Sequence, residues 1–111
     1  MEIDFMEASS LIIRPRQPFI DWINTTYPDE VIALETYHDE CGPLNFLIPD
    51  FEHLSDAQGW LENNFGVLFE EQLSEWSTDV HAWPTQRTYA LFTQWFDIDF
   101  HLMVFDLREL G

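Results

Sequence analysis

Apolar positions change their period along this chain, and each change marks an element. Ser10 to Pro15, SLIIRP, is a short β-branched run closed by a proline and reads as a first strand. Pro18 suits the first turn of a helix, where its missing N–H is not needed. Phe19, Ile20 and Ile23 then give PFIDWINTTY one apolar face, ending before Pro28. Residues 29–42 fit either a short helix or an extended segment, and Gly42-Pro43 ends it in both cases. In PLNFLIP, Leu44, Phe46 and Ile48 fall on one side and Leu47 on the other, a second strand bounded by prolines.

The clearest periodicity runs from residue 55 to residue 77. Ala57, Trp60, Leu61, Phe65, Leu68, Phe69, Leu73 and Trp76 recur at helical spacing. Ser55 and Gln58 match a capping box, and Glu62, Glu70, Glu71 and Glu75 are left mostly on the outer surface. A further helix, TQRTYALFTQWF, is expected after Pro84, burying Leu91, Phe92, Trp95 and Phe96. IDFHLMVFDL closes the pattern as a third strand, expected at the centre of the sheet because both its faces are apolar beyond Leu102. Residues 1–10 and 108–111 are expected to fray. The order β-α-x-β-α-α-β predicts one α+β domain over residues 1–111: two layers, a three-stranded sheet with helices packed on one face.

Composition agrees with a folded chain. With 111 residues there is room for one core, and 46% hydrophobic residues, including ten Phe and five Trp, supply the surface to fill it despite a net charge of −17. The charge is unevenly placed. No Lys or Arg occurs between Gln17 and Gln86, while Asp and Glu recur throughout that span. Spread evenly over roughly 6,400 Å², the acids would sit about 17 Å apart, beyond the ~8 Å screening length at physiological salt. Imitating a nucleic acid would therefore need acids clustered on one face. The charge argues against direct nucleic-acid binding and against docking on an anionic membrane. No apolar run is long enough to span a bilayer. A lone Cys41 and an acidic N-terminal stretch without an apolar signal core make a reducing, cytoplasmic setting the expectation.

The stretches LIIRPRQPFIDW, FLIPDFE, WPTQRTYALFTQWFD and FHLMVFDL together resemble an uncharacterised family of small acidic bacterial proteins that share arginine-proline, tryptophan-proline and tryptophan-phenylalanine-aspartate motifs. The resemblance spans residues 10 to 107. It implies a soluble bacterial domain and brings no assigned activity or catalytic residue with it.

Candidate chemistry is sparse. Asp97, Asp99 and His101 alternate, so on a strand two carboxylates and an imidazole would share a face, as a divalent metal prefers. The competing reading is that the two Asp lie where a helix gives way to a strand at the solvent edge. His38, His53 and His81 lie in or beside acidic segments and fit solvated or capping roles. Carboxylates around Cys41 disfavour a thiolate. No nucleophile elbow, glycine-rich phosphate loop or Cys-His zinc pattern is present. Trp60, Trp76 and Trp95 fall on inner faces, whereas Trp22, Tyr27, Trp83 and Tyr89 are less well explained, and an exposed Trp83 ringed by acids would suit a basic partner.

Arg14 and Arg16, in RPRQP, are half of the fixed positive charge. Each is expected to clamp the protein's own carboxylates, since a guanidinium fork can hold a carboxylate by two hydrogen bonds. Pro15 cannot donate to a ladder, which places this end of the strand at a sheet edge or beyond it. The function expected is that of a non-catalytic interaction protein without cofactor, binding a basic protein surface as an inhibitor or nucleic-acid mimic. Glu62, Glu70, Glu71, Glu75, Trp83 and the segment from Asp29 to Asp56 would form that face. A second reading is a divalent-metal protein or enzyme centred on Asp97, Asp99 and His101, with Arg14 or Arg16 binding an anion. A third is a generic acidic domain kept dispersed by its charge.

Overall fold

Alternation from Leu11 to Pro15, within the segment Ser9–Pro15, decides where the core lies. Leu11, Ile13 and Pro15 are buried on one face, while Ile12 is half-buried and Arg14 exposed on the other. In the computed structural model, which describes residues 3–110, this segment is the second of five strands. The elements are β1 (Asp4–Met6), β2 (Ser9–Pro15), α1 (Gln17–Thr26), α2 (Leu34–Glu40), β3 (Leu44–Ile48), α3 (Leu54–Ser74), α4 (Tyr89–Trp95), β4 (Phe96–His101) and β5 (Val104–Asp106). Two short 3₁₀ turns lie at Val80–Ala82 and Arg108–Leu110. The architecture is α+β, as the sequence pattern predicts.

β2 is the middle strand of an antiparallel sheet of order β3-β2-β4. The register sets Leu11 between Phe46 and Phe100, and Ile13 between Leu44 and Ile98, so one face is a continuous apolar layer. Phe19, Ile20 and Ile23 of α1, Leu61, Leu68, Phe69 and Leu73 of α3, and Phe92 of α4 close over it. Phe69 is central to this layer, its ring 5.6 Å from Phe92, 5.6 Å from Trp95 and 5.7 Å from Phe96. Burying such a side chain contributes about 1.5–3 kcal/mol. The other face of the sheet carries Arg14, Asn45, Leu47, Asp97, Asp99 and His101, all exposed.

Four expectations are corrected. The C-terminal run IDFHLMVFDL is not one central strand: it breaks at Leu102-Met103, leaving β4 at the edge of the sheet. Beyond the break β5 pairs with β1 in a separate two-stranded ribbon, with Phe5 opposite Phe105. Residues 4–6, expected to fray, are thereby ordered; Met1, Glu2 and Gly111 lie outside the described residues. The capping box also does not form. α3 starts at Leu54 after His53, which makes no side-chain cap, so Ser55 lies inside the first turn. Finally, α4 begins at Tyr89 rather than just after Pro84, because the Thr88 hydroxyl accepts the Leu91 N–H at 3.1 Å and sets the helix start there.

The ambiguous segment resolves as helix α2, whose buried residue is Tyr37. Gly42 ends it in the left-handed region at φ 67°, a conformation that glycine adopts without steric cost. Among the described residues no helix is long and apolar enough to cross a membrane.

Candidate functional site

The hydrogen-bond phase of the sheet defines what β4 presents. The Arg16 N–H donates to the Trp95 carbonyl at 2.8 Å. Extended along the antiparallel register, this makes Arg14–Asp97, Ile12–Asp99 and Ser10–His101 the hydrogen-bonded pairs. The alternate residues Ile98 and Phe100 therefore turn their N–H and C=O groups away from β2, and among the described residues nothing pairs with them. The same phase explains Pro15. Its backbone faces the side where β3 has already ended at Leu44, and its carbonyl meets His38 Nε2 at 3.0 Å. A residue without an N–H fits there because no ladder partner is present, as the sequence predicted for this end of the strand.

Beside the free edge of β4 runs an open groove of about 780 Å³. Leu54, Ile98 and Phe100 contribute apolar surface to it, α4 contributes Tyr89 and Thr93, and Glu62, Asp97 and Asp99 supply carboxylates. All three of these carboxylates are on exposed residues.

Asp97, Asp99 and His101 do share the solvent face of β4, as the alternation predicts. They do not share a coordination point. Asp97 Oδ1 lies 3.8 Å from Arg16 Nε, while Asp99 Oδ2 and His101 Nε2 face each other at 3.2 Å. Among the described residues no three His, Cys, Asp or Glu side chains are arranged to hold a metal ion. The reason is geometric: residues two apart on a strand are separated by ~6.6 Å, and each side chain here has a neighbour of its own.

The two arginines of RPRQP divide. Arg16 occupies the N-cap position of α1 and joins it to the neighbouring elements, its Nη1 donating to the Thr93 carbonyl at 3.3 Å beside the contact with Asp97. Arg14 stands opposite Asp97 in the register but forms no side-chain hydrogen bond or ion pair among the described residues, which corrects the expectation of two clamps. Arg87 reaches Glu70 at 3.4 Å, and Arg108 holds Asp106 through its Nε and, at 2.6 Å, its Nη2. The Arg108 guanidinium and backbone N–H keep the Asp106 carboxyl at about 2, well below its ordinary value.

The acids of α3 do not form a stripe. At 3.6 residues per turn, Glu62 and Glu71 point about 180° apart. Glu62 lines the β4 groove, whereas Glu75 lines a smaller hollow of about 280 Å³ with Tyr37, Cys41 and Trp76, and Glu70 is held by Arg87. Trp83 is half-buried rather than exposed. Its indole N–H donates to the Ser77 carbonyl at 2.8 Å, the Arg87 guanidinium lies 5.6 Å from its ring centre, and the ring packs on the core. Trp22 similarly donates to the Ala82 carbonyl at 2.9 Å, and the Tyr27 hydroxyl to the Trp76 carbonyl at 2.6 Å. These hydrogen bonds fasten the long loop between α3 and α4.

Sequence reasoning missed the edge itself. Its signal is in FDIDFH, where acids alternate with apolar residues: such a strand is covered on one face only. Which strand has a free edge, however, depends on the register. Compared with family models, curated proteins and solved structures, the chain matches none of them, so a functional reading rests on this geometry.

Proposed function

We propose that the protein is a non-catalytic binding domain whose acidic surface engages a positively charged surface on another protein. The observation that carries this reading is where the charge sits. The net charge is −17 with no lysine, and every Asp and Glu among the described residues is exposed except the half-buried Asp106. The carboxylates are thus not consumed in building the core. Three of the four arginines are already engaged with carboxylates, which leaves most of the negative charge uncompensated. Complementary fields of this kind speed association and select partners more than they raise affinity. Nucleic-acid mimicry is the special case in which the carboxylates stand where a partner's phosphates would bind. A bacterial cytoplasm, where exposed Cys41 stays reduced, is the setting we infer.

Affinity capture from a cell extract at low ionic strength tests this. A basic protein should be retained, should bind the purified chain saturably at one-to-one stoichiometry, and should be released steeply as salt rises. Retention of no basic protein, or binding indifferent to salt, contradicts the reading.

A further inference from the structure

The free edge of β4 and the groove beside it together specify more than a charged surface. Ile98 and Phe100 each present an unpaired backbone N–H and C=O along one line, at the rim of an open groove. An exposed strand edge is a template for another strand. Natural sheets blunt such edges with prolines, bulges or charged side chains, lysine above all, and β4 has no proline or lysine and an unbroken register. What β4 does carry is acid, Asp97 and Asp99 on the strand and Glu62 across the groove.

That charge chooses the occupant. A second copy pairing edge to edge about a two-fold axis would bring the Asp97 and Asp99 side chains of both copies onto adjacent strands, and like charges placed opposite one another destabilise a sheet. A cationic strand gains from the same carboxylates. We propose that the β4 edge takes an extended basic peptide segment of a partner protein as the fourth strand of the sheet, by β-augmentation. The added strand pairs its backbone with Ile98 and Phe100. Its side chains on the solvent face, beside Asp97 and Asp99, are Arg or Lys, and its alternate side chains are apolar and contact Ile98, Phe100 and the exposed Leu54 across the groove. β4 has six residues, so the site reads about six residues of extended chain. This inference rests on the proposed function and names the mode of recognition within it.

The test uses the whole protein and a short synthetic peptide alternating arginine with valine, read by residue-resolved amide hydrogen exchange at low ionic strength. Saturating peptide should slow exchange at Ile98 and Phe100 at least tenfold and leave Asp97 and Asp99, already bonded to β2, little changed. A peptide of the same charge with alternate backbone nitrogens methylated should give no such protection. The double variant Glu62→Gln, Asp99→Asn should bind the first peptide severalfold more weakly while melting as the parent does. Exchange at Ile98 and Phe100 unaltered by the peptide overturns the proposal, as does protection there that depends on protein concentration alone, the mark of an edge-to-edge dimer. If a basic partner is nonetheless captured in a salt-dependent way, the function stands and only this site falls. If none is captured, both fall.

Discussion

Phe5 and Phe105 meet edge to face at 5.6 Å across the β1–β5 ribbon and remain 47% and 52% exposed, whereas Leu11 and Ile13 in the middle of the three-stranded sheet are wholly buried. Both regions offer apolar residues on paired strands. The sheet has α1, α3 and α4 to close over one face, while the ribbon has two strands of three residues each and no helix among those that cover the core. An aromatic side chain becomes core only where another layer covers it, and a two-stranded ribbon is marginal without such cover. Local contacts hold the ribbon instead, namely the aromatic pair and the Asp106–Arg108 clasp at its end.

The largest expected difference between the regions is in truncation of an aromatic ring. Phe69→Ala should lower unfolding free energy by about 3–5 kcal/mol in chemical denaturation, since it opens a cavity among three other rings. Phe105→Ala should cost less than about 1 kcal/mol, the scale of one cross-strand pair. Equal losses would show that the ribbon belongs to the cooperative core. The core has one flaw of its own, since the Gln72 side-chain nitrogen on α3 is buried without a hydrogen-bond partner. Gln72→Met should therefore stabilise by about 1 kcal/mol, because it removes an unsatisfied amide at similar volume. A lowered midpoint would contradict that.

The arginines give a smaller contrast. Arg16→Ala should cost about 1 kcal/mol, discounted for the exposure of its contact with Asp97. Arg14→Ala should cost less than about 0.5 kcal/mol, as for most surface substitutions.

The smallest expected effects appear at opposite ends of the pH scale. Asp106 has its pKa lowered from 3.8 to about 2 by Arg108, so a frayed ribbon takes up a proton before the paired one. Its contribution is complete above pH 3.8 and is lost as pH falls toward 2. Carboxyl chemical shifts followed through acid titration should show the ribbon loosening first. Tyr37, in the core, has its pKa raised above 10.0 chiefly by burial. The unfolded chain then ionises first, so the core weakens as pH rises past 10.0. Ribbon loss at alkaline pH before core loss would reverse the comparison.

Where local periodicity carries the information, the sequence was readable. Phe19, Ile20 and Ile23 bury α1, and the Leu44, Phe46, Ile48 face of β3 packs inward, as their spacing predicts. What the sequence concealed is non-local. β5 looks like a continuation of β4 until β1, about a hundred residues earlier, claims it. The apolar density of IDFHLMVFDL pointed to a central strand with both faces covered, while its alternating acids marked one face as solvent-exposed, and the acids were the better guide to that face. The metal reading failed for a related reason, since sharing a face does not bring side chains to a point. Trp83 reads as exposed until the Ser77 carbonyl is placed at its indole N–H. The candidate site was half legible: its acids could be named, but the unpaired backbone between them follows from a register that no single segment encodes.

Amide exchange along β4 in the free protein tests that register most directly. Asp97, Asp99 and His101 should exchange slowly, bonded to β2, while Ile98 and Phe100 between them exchange fast at the open edge. Uniform protection along the strand would mean that the edge is already covered, and would contradict the account.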